Sequence, residues 1–126
     1  IEGGKKPFHT LIPGLARFGP DDWAAFGVMG GYMQPQGHLQ VITNIVDGDL
    51  PLQAALDRPR WRYRADGTLA VEERMGGTLP TKLVRRGHEV GVLPPLQFGG
   101  AQIVRNQDGV LSAATEPRKD GAALGF

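Results

Sequence analysis

Apolar residues fall along this chain in short runs separated by turn residues, and the spacing changes character as the chain proceeds. Phe8 to Phe18 is mostly apolar and is followed by Gly19-Pro20-Asp21-Asp22, a strong turn signal. Trp23 to Val28 is a second apolar run, too short for a typical helix. Together they predict an antiparallel strand pair buried on at least one side, with Pro13 putting the first strand at an edge or a bend. From Gln36 the spacing becomes helical. Leu39, Ile42, Ile45 and Val46 share one face, and Gly48 is the stop. Pro51 begins a second short helix carrying Leu52, Ala55 and Leu56, which Pro59 ends. Trp61 to Arg64 alternates as a half-exposed strand does, and Asp66-Gly67 turns the chain into a strand at Leu69-Ala70-Val71. Thr78 with Pro80 opens a third helix that closes on Arg85-Arg86-Gly87, where cations and a glycine suit a helix C-terminus. His88 to Leu93 reads as a short strand. Gly100 to Arg105 and Val110 to Ala114 flank Asn106-Gln107-Asp108-Gly109 as a hairpin. Strands and helices mix without strict alternation, and several strands are hairpin-linked, so the fold class is α+β rather than a doubly wound parallel sheet.

Composition narrows the function classes. The chain has 126 residues, enough for one domain with a core but not two. Fourteen basic and 13 acidic residues are mixed along it for a net charge of +1, with no basic stripe, which speaks against nucleic-acid or membrane-surface binding. No apolar run approaches the ~20 residues that span a bilayer. Cysteine is absent, which removes disulfides, thiolate metal sites and cysteine nucleophiles together. His9, His38 and His88 form no metal-ligand spacing, so neither a metal nor a cofactor is expected. Ile1-Glu2-Gly3-Gly4 has no initiator methionine and no apolar signal segment, so the chain is expected to start inside a longer gene product. The compartment is left between cytoplasm and periplasm, with the cytoplasm slightly preferred.

The candidate chemistry centres on Gly27-Val28-Met29-Gly30-Gly31, at the junction between a predicted strand and a predicted helix. Adjacent glycines can take positive φ and let backbone approach a ligand closely. At a strand-to-helix turn, their N–H groups can face a developing negative charge. The spacing matches neither the dinucleotide fingerprint nor the phosphate-binding loop. Local pattern alone leaves the turn either as a tight turn or as an oxyanion site. The nucleophile is missing: Ser112, the single serine, lies in a predicted strand without a nucleophile-elbow context. His38 is close to the glycine turn, with structural hydrogen bonding as its expected role. Glu72-Glu73 are expected on a solvated edge, and Asp57-Arg58 and Glu116-Pro117-Arg118 as structural ion pairs at chain reversals.

Taken in order, Lys5-Lys6-Pro7-Phe8-His9-Thr10-Leu11-Ile12-Pro13, Gly27 to Gly31, the helix from Gln36, and Ala54-Ala55-Leu56-Asp57-Arg58-Pro59-Arg60 carry a resemblance. Gly99-Gly100-Ala101-Gln102, Asp108-Gly109, Glu116-Pro117-Arg118 and Gly125-Phe126 complete it. With compatible spacing over nearly the whole chain, the sequence resembles the C-terminal part of the small subunit of the gamma-glutamyltranspeptidase family. Met33-Gln34-Pro35-Gln36-Gly37-His38 looks especially like its cephalosporin acylase branch. The resemblance implies part of a four-layer αββα sandwich of the N-terminal nucleophile hydrolase type, with residues 1–126 forming one partial domain. It implies a self-cleaving precursor whose new N-terminal threonine attacks a gamma-glutamyl amide such as glutathione and passes the acyl group to water or an amino acid. That threonine would lie upstream of Ile1, so the isolated chain is expected to be inactive. Carried over by position, Gly30 and Gly31 are the oxyanion-hole glycines. His9 and Thr10 stand where the family has two adjacent serines that bind the substrate carboxylate. The implied partners are the rest of the precursor and a small amide substrate, and self-association is plausible because a piece of a layered sandwich bares apolar surface. The rival reading is a non-catalytic globular module whose glycine turn binds nothing.

Overall fold

The computed structural model describes residues 1–125. Strands β1 (Gly14–Gly19), β2 (Asp22–Met29), β6 (Gly100–Gln107) and β7 (Val110–Thr115) form one antiparallel sheet in the order β1-β2-β6-β7. A second, three-stranded sheet runs β3 (Trp61–Tyr63), β4 (Leu69–Glu72), β5 (Val90–Leu93), with β3 antiparallel and β5 parallel to β4. Helices α1 (Met33–Val46) and α2 (Leu52–Asp57) join the sheets, and α3 (Leu79–Arg85) precedes β5. The α+β class read from the sequence is the observed one. Two 3-10 turns, Glu73–Met75 and Pro95–Phe98, were not visible in the pattern.

β1 begins at Gly14, six residues later than the apolar run suggests, because Pro13 has no N–H to give the ladder and the chain before it leaves the sheet. At the other end of the sheet, Asp108 and Gly109 take φ of 52° and 83°, the doubly positive pair of a tight type I′ hairpin. His88 lies outside β5, which starts at Val90.

Helix α1 starts at Met33, three residues before Gln36. Pro35 fits because the N–H groups of a first turn have no acceptor within the helix. Its buried line is Met33, Gly37, Val41 and Ile45, with Gln40 beside it, whereas Leu39 and Val46 are 52% and 58% exposed. The face built on Leu39 is therefore not the packed one. Gly37 decides the docking: a Cβ there would stand 2.6 Å from Cγ1 of Val28, so the helix meets β2 at backbone range along that line.

The core lies between α1 and α2 and one face of the four-stranded sheet, where Val41, Ile45, Ala55 and Leu56 meet Ala24, Val28, Ala101, Ile103 and Ala114. The opposite face carries a row across all four strands, Leu15, Ala25, Val104 and Ala113, each the ladder partner of the next. All four are exposed. One face of this sheet is thus covered by helices and the other is bare and apolar.

Four charged side chains lock the two sheets together. Glu116, just past β7, accepts from Arg118 Nη1 at 2.6 Å and the Ala101 N–H at 2.6 Å, and pairs with Arg60 Nη1 at 2.9 Å. Glu72, at the end of β4, takes two hydrogen bonds from Arg118, at 2.9 and 2.6 Å, and one from the Arg60 N–H at 3.0 Å. Arg74 reaches its other oxygen from the surface. The expected ion pair at Glu116-Pro117-Arg118 is present. Glu72, expected on a solvated edge beside Glu73, is instead wholly buried. Burial works against the Glu116 charge, but Arg118, Arg60 and the Ala101 N–H outweigh it and hold its carboxyl below the usual glutamate value.

Candidate functional site

The chain crosses from β2 into α1 through Gly30 and Gly31, at φ of 135° and 59°. Both conformations favour glycine, and at Gly30 a side chain would also be crowded. A Cβ there would lie 3.1 Å from the Gly99 Cα and 3.2 Å from the Met33 Cβ. Gly99, itself at φ 77°, packs on the Met29 carbonyl, so two glycine pairs meet where the ends of β2 and β6 come together. The turn closes through Met33 N–H to the Gly30 carbonyl at 3.1 Å and Gln34 N–H to the Gly31 carbonyl at 3.0 Å. Among the described residues, the N–H groups of Gly30 and Gly31 donate no hydrogen bond. The fourteen-residue helix that follows has no side-chain cap and no acidic residue in its first turn, and the Gly30 and Gly31 carbonyls take the N–H groups of its first two residues.

His9 and Thr10 lie on the exposed segment before β1, at the same end of the sheet as the glycine turn. Gln34 links the two: its side-chain amide donates to the Thr10 carbonyl at 3.0 Å. Where residues 11–13 leave β2, a cleft of about 330 Å³ opens, walled by Leu11, Ile12, Met29 and Gly100. In the sheet's register Ile12 would have faced Val28, and His38 from α1 replaces it. The Val28 N–H donates to His38 Nε2 at 2.9 Å, and the imidazole packs on Phe26. Burial pushes the His38 pKa down, favouring the neutral ring that can accept this bond. The structural role expected of His38 is the one observed. Replacing it with alanine leaves a strand-edge N–H without its acceptor, and thermal unfolding should register a loss of about 1–3 kcal/mol. Unchanged stability would show that water satisfies this edge equally well.

Two residues that sequence reading missed fix the small sheet to α1. Gln36 exchanges hydrogen bonds with the backbone of Tyr63, at 2.7 Å from its N–H and 3.0 Å to its carbonyl. Gln40 does the same with Trp61, at 2.9 Å in both directions. Four residues of helix rise about 6 Å, close to the roughly 6.8 Å between alternate strand residues. Two glutamines a turn apart can therefore stand in for a neighbouring strand. Glutamines at that spacing on a helix preceding an alternating aromatic strand were the available signal.

Among the described residues, no group of three or more His, Asp or Glu side chains is placed to hold a metal ion. No described helix is long and apolar enough to cross a membrane.

The family model for gamma-glutamyltranspeptidase matches residues 1–126. The chain belongs to the gamma-glutamyltranspeptidase family. It is 37% identical to the oxamate amidohydrolase proenzyme of Klebsiella pneumoniae over 98% of its length and 25% of that protein's. A cephalosporin acylase from Bacillus halodurans superposes with a TM-score of 0.72 and 46% identity, over 81% of this chain and 20% of that one. The gamma-glutamyltranspeptidase of Pseudomonas nitroreducens, complexed with L-DON, gives a TM-score of 0.82 at 22% identity, over the whole of this chain and 67% of that one. The fold is thus that of the family's N-terminal nucleophile hydrolases, and members of the family are hydrolases and acyltransferases. The chain spans about a quarter of the length of the curated relatives it matches, which are proenzymes.

Proposed function

We propose that this chain forms the oxyanion- and acyl-binding part of an amide hydrolase or acyltransferase whose nucleophile, an N-terminal threonine, comes from the rest of a self-cleaving precursor. The observation that carries the reading is the Gly30–Gly31 turn, with two successive N–H groups lacking acceptors among the described residues just ahead of α1. The threonine hydroxyl adds to the amide carbonyl while the threonine's own amine takes its proton. The carbonyl oxygen becomes an oxyanion, and the Gly30 and Gly31 N–H groups stabilise it. Collapse expels the amine with a proton and leaves an acyl-threonine, which water or an amino acid then relieves of its acyl group. Thr10 supplies a hydroxyl and His9 an imidazole to the substrate's carboxylate, and Gln34 holds their segment against α1. The substrate is a gamma-glutamyl amide such as glutathione or a related carboxylate-bearing amide. The bare row Leu15-Ala25-Val104-Ala113 is where the remainder of the precursor packs.

Expression of the full-length gene and mass analysis of the product test this directly. A product cut ahead of this chain, with threonine as the new N-terminus of the piece that carries it, is expected. An uncut product, or a cut that leaves any residue other than threonine, serine or cysteine, would sink the nucleophile assignment.

A further inference from the structure

Val28 is held from two sides by consecutive residues of α1. Its side chain meets Gly37, where a Cβ would stand 2.6 Å from Cγ1, and its N–H donates to His38 Nε2 at 2.9 Å. The second contact lies on a strand edge that β1 has already left, since pairing of β1 with β2 ends at Gly14–Phe26. Two residues beyond Val28 the chain reaches Gly30. His38 thus fixes, from its open side, the strand that delivers the glycine turn.

This bond holds in one protonation state. An accepting Nε2 requires the neutral ring, with its proton on Nδ1. A second proton makes Nε2 a donor and sets two N–H groups facing each other across 2.9 Å. The surroundings offer an imidazolium no counter-charge. Helix α1 carries no other ionisable side chain. Arg17, Asp22 and Arg105 of β1, β2 and β6 lie towards the other end of the sheet. Lys119 lines the same cleft and His9 sits on the exposed segment ahead of it, but neither brings negative charge. Among the described residues, no carboxylate lines this cleft. Burial holds the ring's pKa below its ordinary 6.5, so it is neutral at pH 7 and charges on the acid side of 6.5.

We propose that His38 is a positioning residue for the oxyanion turn and that its protonation frees the end of β2, giving turnover an acid limb that belongs to this ring. The effect on turnover rests on the reading of the Gly30–Gly31 turn as the oxyanion site. The release of β2 does not.

Two measurements on the full-length protein keep these apart. The first is hydrogen–deuterium exchange read by mass spectrometry, with the peptide around Val104 in mid-sheet as the internal reference. In His38→Gln the side-chain Oε1 can accept from the Val28 N–H as Nε2 does, and it does not titrate. The Val28 peptide should exchange alike in parent and variant at about pH 8, and up to about tenfold faster in the parent at about pH 5. Should His38→Gln not fold, the parent alone decides, through the rise of its Val28 peptide over the Val104 reference. Exchange at Val28 that keeps step with the reference down to about pH 5 would overturn the proposal.

The second is the pH dependence of kcat for gamma-glutamyl para-nitroanilide. The amine of the nucleophilic threonine titrates in every variant, so the ratio of variant to parent isolates the ring. Between about pH 8 and about pH 5 the parent should lose at least about tenfold more kcat than His38→Gln. His38→Leu, with no acceptor, should be slow at both. Parallel losses in parent and His38→Gln would remove the positioning role. If exchange at Val28 follows the ring while no variant cleaves the anilide, the oxyanion reading falls and the acid release of β2 stands.

Discussion

Glu116→Ala should destabilise the folded chain by about 3–5 kcal/mol, because it removes one partner from a buried ion-pair network and leaves the others charged. Glu116 joins Arg60, Arg118 and the Ala101 N–H, so its loss uncovers two guanidinium groups and one backbone donor in the interior. For a domain whose total stability falls in the ordinary range of about 5–15 kcal/mol, that is a third or more of the margin. The shift in Tm should be on the order of 10 °C or more. The Asp22–Arg105 pair, which is partly exposed at the rim of the sheet, is the control. Breaking it with Asp22→Asn should move Tm far less. Comparable shifts for the two variants would mean that the buried network contributes no more than a surface pair.

The same network sets the response to acid. The Glu116 carboxyl is held below its ordinary value of 4.5 in the folded chain, so the folded state binds this proton less readily than the unfolded one. Its contribution is fully present above 4.5 and is lost as pH falls through the lower folded value. A steep loss of stability below pH 4.5 that Glu116→Gln flattens is the expected signature in pH-dependent melting curves.

The largest effect on turnover is expected at Gly30. Alanine keeps the N–H but places a methyl 3.1 Å from the Gly99 Cα, at a φ of 135° that side chains rarely adopt. The turn must move, and the donor moves with it. Displacement of one oxyanion donor should lower kcat by about 10²–10³ in the full-length protein. Gly31→Ala separates strain from crowding. Its φ of 59° is the ordinary left-handed region, and nothing lies within 4 Å of the added methyl, so its effect should be far smaller. Turnover by Gly30→Ala equal to that of the parent, with the fold intact by circular dichroism, would remove the proposed role.

Much of the fold was legible because its signals are local. Asp108-Gly109 specifies its hairpin through backbone conformation alone, and Pro51 and Pro59 bracket α2 closely. What was not legible depends on partners far away in the chain. Glu72 looks like a solvated residue until Arg118, 46 positions on, and Arg60, 12 positions back, are brought to it. The helical period of α1 was visible, but the choice between its Leu39 line and its Gly37–Val41 line belongs to the surface it docks on. At the candidate site, the glycine pair stood out in the sequence, and its proposed chemical use came from the family resemblance. Gln34 gave no local signal, because its partner, the Thr10 carbonyl, lies on a separate segment, and the spacing of Gln36 and Gln40 has a meaning only once Trp61 and Tyr63 are brought to them.

The glutamine ladder on α1 also determines where this protein can grow. An unpaired strand edge invites any extended chain to add itself to the sheet. Gln36 and Gln40 occupy the outward-facing N–H and C=O groups of Trp61 and Tyr63, so the small sheet is sealed on its β3 side although none of the described strands lies there. Recruitment of a foreign strand along that side would first have to displace a helix packed into the core. Association is thereby directed away from backbone pairing at β3 and towards side-chain packing on the bare face of the larger sheet, where shape and not mere extension selects the partner.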